Sequence, residues 1–255
     1  MSAQALCAFL ALAGIAAYVQ TVTGFAFGLV MMGFIALFGL LPLPDAAAMV
    51  GVLTLVNATQ MMLHGGRHHV AWHELRLVLS ASLPALVVGY FLLEWLADTR
   101  ADALRVALGL VIMASSLQLA VQRKSLDRPS TDRSFVGFGI VSGIMGGLFS
   151  TGGPPLVYHF YRQPMPVARI RETLVAAFGT AQVVRLSLVA ATGNIPPPST
   201  LAGVAAVPIV MVLTYAARRW PPPLPDKVLK MIVFVLLFLS GLSLALPAAL
   251  RLLAG

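Results

Sequence analysis

Ser150-Thr151-Gly152-Gly153-Pro154-Pro155 interrupts a long apolar stretch, Phe135 to Tyr161, with the residues that most strongly oppose a helix. The two glycines add backbone freedom, and the two prolines remove two N–H donors. In hydrocarbon, unpaired backbone groups are costly, so such a break persists only where it is buried in protein or lines a wet cavity. Membrane transporters use broken helices of this kind to hold ions. The stretch therefore predicts a ligand-holding break in a membrane-embedded helix.

Composition supplies the membrane. The chain is 59% hydrophobic and 10% charged, against roughly 25% charged residues in a soluble domain. The apolar sequence that starts at Ala3 has no basic region ahead of it and continues to Leu41, which predicts a retained membrane segment rather than a cleaved signal. Cys7 is the single cysteine, so no intramolecular disulfide forms, and Cys7 reads as a small apolar filler. The net charge of +8 is spread over short loops without a long basic tract, which predicts no nucleic acid partner.

Apolar segments fall at about 3–22, 25–41, 46–63, 77–96, 103–121, 135–149, 154–161, 173–192, 200–217 and 230–250. Most approach the ~20 residues that a spanning helix needs. The segment 154–161 is too short to span, and 3–41 is too long for one ordinary span. Each of these two stretches carries a glycine break, at Thr23-Gly24 and at Gly152-Gly153.

Loop charge decides the topology. Of the 17 lysines and arginines, thirteen lie in four connections, 64–76, 122–134, 162–172 and 218–230. Three lie in the remaining loops, and Arg185 lies inside a span. If 3–41 and 135–161 each enter the bilayer and return to their own side, all four basic loops share one side. The positive-inside rule makes that side cytoplasmic and places both termini outside the cytoplasm. The chain then reads as an all-α polytopic protein of the inner membrane. It has two inverted-topology repeats, each a broken re-entrant hairpin followed by three spanning helices. The first repeat covers 1–121, a cytoplasmic linker 122–134, and the second repeat 135–255. Local sequence agrees at an offset of about 125 to 128 residues: Thr23-Gly24 with Thr151-Gly152, and Asn57-x-x-Gln60 with Gln182-x-x-Arg185. Inverted repeats broken in corresponding places put a substrate site near the midplane.

Arg185 stands near the middle of its span, where a charge is functional by default. Its guanidinium stays protonated and offers five donors suited to an oxyanion, so anion contact or support is expected, with a buried carboxylate pair as the structural alternative. Gln182 lies three residues earlier on the same helical face, and Asn57 and Gln60 repeat that spacing. Their amides suit an anion, a broken backbone or helix–helix contacts. Ser150, Thr151, Gly152, Gly153 and Pro154 offer hydroxyls, backbone amides and the start of a half-helix, which favours negative charge. Thr23 and Gly24, with Gln20 and Thr21, form a weaker version in the first half. His159 is a candidate for a coupling proton, against a packing role. His64, His68, His69 and His73 fall in a glycine-containing basic loop and read as solvated residues, so no metal site is expected. No nucleophile elbow, zinc-protease helix or Walker loop occurs, so neither an enzyme nor a self-contained ATP-driven pump is expected.

The order Ser150-Thr151-Gly152-Gly153-Pro154-Pro155-Leu156-Val157, Arg171-Glu172-Thr173-Leu174 and Gln182-Val183-Val184-Arg185-Leu186 resembles the second half of the sulfite exporter TauE/SafE family. Thr23-Gly24-Phe25-Ala26-Phe27-Gly28 and Val70-Ala71-Trp72 are similar to its first half. The resemblance covers nearly the whole chain. It implies duplicated halves, no cofactor, and transport of inorganic or organic sulfur anions or related carboxylates. It also draws attention to Gly152, Gly153, Pro154, Pro155, Arg171 and Arg185. The expected activity is secondary transport of a small anion by alternating access, with a proton or a sodium ion left open as the coupling ion. An anion channel and a membrane scaffold without transport are the alternatives.

Overall fold

The computed structural model describes residues 3–23, 26–64, 69–120, 126–197, 202–220 and 226–254. Among these residues there is no strand, and ten α-helices follow the order of the ten apolar segments. They are α1 (Ala3–Thr23), α2 (Phe27–Leu37), α3 (Leu43–His64), α4 (Trp72–Thr99), α5 (Ala101–Ala120), α6 (Asp132–Phe149), α7 (Gly153–Tyr161), α8 (Val167–Ala191), α9 (Ala206–Arg219) and α10 (Asp226–Ala254). A short 3-10 turn, Ala202–Ala205, leads into α9.

Three of these helical stretches, Leu43–Leu63, Trp72–Thr99 and Val167–Ala191, are each long and apolar enough to cross a membrane. Bulky apolar side chains such as Phe91, Trp95, Leu110, Met211 and Leu239 face outward, while Gln20, Asn57, Ser142, Gln182 and Arg185 are buried. That distribution suits hydrocarbon outside and polar pairing inside.

Small residues set the closest helix contacts. Gly139, Gly143 and Gly147 recur every four residues on α6 and lie against α4. A Cβ on Gly139 would stand 3.0 Å from the Val78 carbonyl, and those on Gly143 and Gly147 would collide with the carbonyls of Ser82 and Leu86. Close backbone approach of this kind substitutes for the hydrophobic effect, which lipid does not supply between helices. Gly109 of α5 and Gly241 of α10 meet in the same way: a Cβ on either would lie 2.6–2.7 Å from the other's carbonyl.

Some of the helix contacts fall into pairs. The α4–α6 contact has a counterpart in α9–α1, α4–α8 in α9–α3, and α2–α3 in α7–α8. The α3–α8 and α5–α10 contacts join the halves to each other.

Side chains and backbone tie the loop ends together. Leu126 donates to the Arg162 carbonyl at 2.8 Å. The Ser130 amide donates to Gln163 Oε1 at 2.9 Å, and Gln163 Nε2 donates to Ser130 Oγ at 3.0 Å. The chain therefore leaves α7 beside the point where it enters α6, so α6 and α7 form a hairpin. His73 pairs with Asp132 at 3.3 Å, and the Ala71 amide donates to Thr173 Oγ1 at 2.9 Å. Residues 69–73, 126–132 and 162–173 thus share one end of the bundle. The far end of α4 leads into Asp102, which pairs with Arg251 near the end of α10 at 3.3 Å.

Candidate functional site

The second break is an irregular turn whose backbone is paired by side chains from other helices. Ser150 caps α6 in the left-handed conformation, with φ 53°, and its amide still donates to Gly146. A serine, not a glycine, therefore takes the unfavourable backbone angle. Gly152 has φ −84° and needs no special freedom. It is required for space, because a Cβ there would stand 2.5 Å from the Ser142 carbonyl and 2.6 Å from Ser142 Oγ. The expectation that the glycines supply conformational freedom is corrected accordingly. Ser142 Oγ donates to the Gly152 carbonyl at 2.5 Å, Ser150 Oγ to the Ala47 carbonyl at 2.5 Å, and Gln182 Nε2 to the Ser150 carbonyl at 3.1 Å. Pro154 and Pro155 carry no N–H, so of the first three residues of α7 only Gly153 has an amide to offer.

The first break is tied by a chain of amides. Ala26 precedes α2 with φ 93°. The Phe27 amide donates to Gln20 Oε1 at 3.0 Å, Gln20 Nε2 to Asn57 Oδ1 at 2.8 Å, and Asn57 Nδ2 to Thr214 Oγ1 at 2.7 Å. Arg171 donates from Nη2 to the Thr21 carbonyl at the end of α1. The two breaks touch: a Cβ on Gly28 would lie 3.0 Å from both the Ser150 carbonyl and Thr151 Cβ.

A cavity of about 40 Å³ lies where the breaks meet. The first half contributes Gln20, Ala26, Gly28, Thr54, Ser82 and Leu86 to its wall. The second half contributes the α6 face Ser142, Gly143 and Gly146, the break Ser150 to Gly153 with Leu156, and Ala177, Phe178, Ala181 and Gln182 of α8. Among the described residues the lining carries no charged side chain. Two of its buried atoms, Thr54 Oγ1 and Gln182 Oε1, have no hydrogen-bond partner among the described residues. Buried polar atoms are normally paired, so this pair marks a place where a ligand or water belongs.

Of the residues singled out from sequence, Gln182, Ser150, Thr151, Gly152 and Gly153 come together on this cavity. Pro154 is buried in α7 behind it. Arg185 does not line it. The guanidinium is 1% exposed, donates from Nε to the Gly147 carbonyl at 3.2 Å and lies 5.8 Å from the Tyr90 ring centre, and its Nη1 has no partner among the described residues. No carboxylate forms an ion pair with Arg185 among the described residues. Asn57 stands behind Gln20, and Gln60 donates to the Met211 carbonyl at 3.0 Å, away from the cavity. His159 is stacked on Phe138 at 4.5 Å and meets the edge of Phe135 at 4.5 Å, also away from the cavity. The Thr23 side chain and Gly24 lie outside the described residues, as do His68 and the His64 side chain. His69 instead approaches Glu172 at 4.0 Å, and no group of three or more metal-ligating side chains occurs among the described residues. Thr54, Ser82 and Ser142 were not singled out, because lone hydroxyls are common in membrane helices. Thr54 sits three residues before Asn57, and that spacing was the available signal.

Residues 9–244 match the family described as Sulfite exporter TauE/SafE. A protein of Cupriavidus necator, "Probable sulfite/organosulfonate exporter TauE", is 36% identical over 238 residues, 93% of each chain. A protein of Comamonas testosteroni, "Probable inner membrane transporter protein TsaS", is 26% identical over 200 residues, 76% of this chain and 81% of its own. No solved structure matches the chain.

Proposed function

The chain belongs to the sulfite exporter TauE/SafE family and is a multi-pass membrane protein of transporter rather than enzyme type, and from that premise we propose that it carries small sulfur-containing oxyanions across the inner membrane by alternating access. One observation carries the proposal: the two helix breaks meet around a cavity that holds two unpartnered buried oxygens. At about 40 Å³ the cavity holds about three waters, or one oxyanion of a few heavy atoms in their place. The name of the Cupriavidus necator relative points to the same substrate class.

The halves are read as inverted repeats. The matched helix neighbours support this, and residue environments agree at an offset of 128. That offset pairs Gly51 with Gly179, Thr54 with Gln182, and Asn57 with Arg185, in place of the offset of 125 that set Asn57 against Gln182 and Gln60 against Arg185. Thr54 and Gln182 both line the cavity with an unpartnered oxygen. Asn57 bonds toward α1 and α9, while Arg185 bonds toward α6 and lies over Tyr90 of α4, which are the corresponding helices. Three basic connections gathered at one end, 69–73, 126–132 and 162–173, support a cytoplasmic face there, with both termini on the other side. Arg185 then acts one turn from the substrate, holding the Gly147 carbonyl and lending positive potential to the break. Inward and outward access to the cavity then alternate by rocking one repeat against the other.

Counterflow in proteoliposomes tests the proposal. Vesicles preloaded with unlabelled sulfite are expected to accumulate labelled sulfite transiently above equilibrium. Simple equilibration with high electrical conductance would show a channel, and no uptake of any sulfur oxyanion would refute the transport reading.

A further inference from the structure

We infer that the cavity takes its oxyanion in the singly protonated, monoanionic form, with the substrate's own proton donated to Gln182 Oε1. The inference rests on the reading that the cavity is the substrate site, and it concerns the charge state of what is carried.

The amide of Gln182 is oriented by its partner. Nε2 donates to the Ser150 carbonyl at 3.1 Å, and the reverse orientation would set two acceptors against each other. Oε1 is therefore the atom left unpaired, and it is an acceptor. A fully deprotonated oxyanion has only acceptors, so it would meet Oε1 with repulsion. An anion that retains one proton satisfies it. Two of the three serine hydroxyls on the wall are already engaged. Ser150 and Ser142 already donate to the carbonyls of Ala47 and Gly152, whereas the unpartnered Thr54 hydroxyl is available to donate to the anion.

Charge points the same way. The walls contributed by α3, α4, α6 and α7 bring only uncharged side chains to the cavity. The positive groups near it are Arg185, on α8 one turn from Gln182, and Arg171, whose guanidinium is engaged with the Thr21 carbonyl next to Gln20. Arg185 also feels the Glu94 carboxylate of α4, although no ion pair forms between them. Neither guanidinium lines the cavity wall, and Arg185 is shared with Glu94. In a low-dielectric cavity with no cation on its wall, a dianion costs more to confine than a monoanion.

The test uses purified wild-type protein in proteoliposomes with equal pH inside and out. Sulfite uptake is measured across the titration of hydrogen sulfite to sulfite. Written against hydrogen sulfite, KM is expected to stay constant. Written against total sulfite, KM is expected to rise toward about tenfold per pH unit on the alkaline side. A KM constant in total sulfite, or one that tracks the dianion, overturns the inference and leaves the transport reading standing. Absence of any saturable uptake overturns both. Chlorate provides the second arm, because it is a pyramidal monoanion with no proton to donate. Hydrogen sulfite is expected to be preferred over chlorate by about tenfold in competition, as one hydrogen bond to a charged partner allows. Gln182→Met is expected to erase most of that preference. A merely structural defect would weaken both anions and keep their ratio, and that result would overturn the role given to Gln182. Where the variant does not fold, the wild-type pH series decides by itself.

Discussion

Gly152→Ala separates two accounts of the second break. With φ −84° at this position, alanine is conformationally acceptable, and a flexibility account predicts a neutral or slightly stabilising change. The packing predicts the opposite. The new Cβ would stand 2.5 Å from the Ser142 carbonyl, a backbone atom of α6 that cannot swing aside. Overpacking of this kind costs about 1–3 kcal/mol. Displacement also strains the bond from Ser142 Oγ to the Gly152 carbonyl, worth about 0.5–1.5 kcal/mol. A loss of about 1.5–4.5 kcal/mol corresponds to a fall of about 3–18 °C in Tm for a chain of this size. Thermal unfolding of the detergent-purified protein reads it, with Gly137→Ala as the internal control. Gly137 lies on the same side of the break, in α6, and a methyl added there would meet nothing within 4 Å, so alanine is expected to be neutral or stabilising by up to about 1 kcal/mol. Equal Tm values for the two variants would refute the packing account.

Arg185→Ala is expected to abolish uptake in proteoliposomes while the protein still elutes as a folded species, because the change removes the charge behind the break and leaves the cavity wall in place; normal transport would sink the role given to this arginine. His159→Phe is expected to keep transport within about a factor of three, since the ring packs between Phe138 and Phe135 and a phenyl ring preserves that contact. Loss of transport with normal stability would instead assign His159 to proton coupling. Reporter fusions near Asp45 and Asn194 are expected to read periplasmic, and those near Lys124 and Arg218 cytoplasmic; a cytoplasmic signal near Asp45 would break the hairpin topology.

The membrane class, the helix order and the second break were legible in the sequence because each rests on local chemistry: apolar length, glycines and prolines. The α6–α7 hairpin was legible through loop charge, and the Ser130–Gln163 and Leu126–Arg162 bonds give it a geometry. What the sequence did not show is direction around a helix. Gln182 and Arg185 are three residues apart, about 60° around the axis. That difference turns Gln182 into the cavity and Arg185 toward Gly147 and Tyr90. Nor did residue type reveal that Ser150, rather than one of the glycines that follow it, would adopt the positive φ. That choice is tertiary, set by the partners Ala47 and Gln182 that pair its hydroxyl and carbonyl. The cavity hydroxyls Thr54, Ser82 and Ser142 come from three helices distant in sequence, and only the packed fold brings them together.

Gly146 offers the most direct test that the cavity is the substrate site. It lines the cavity, and a Cβ there would find its nearest neighbours, Gly152 and Leu86, at 3.9 Å, an ordinary contact. Gly146→Val therefore places its Cβ beside a space of about 40 Å³ without a backbone collision, and its two further methyls take up part of that space. Equilibrium binding of radiolabelled sulfite is to be measured on wild type and on this variant, with Tm as a check on folding. The account predicts saturable binding by the wild type and its loss in Gly146→Val at nearly unchanged Tm; undiminished binding by the variant would contradict it.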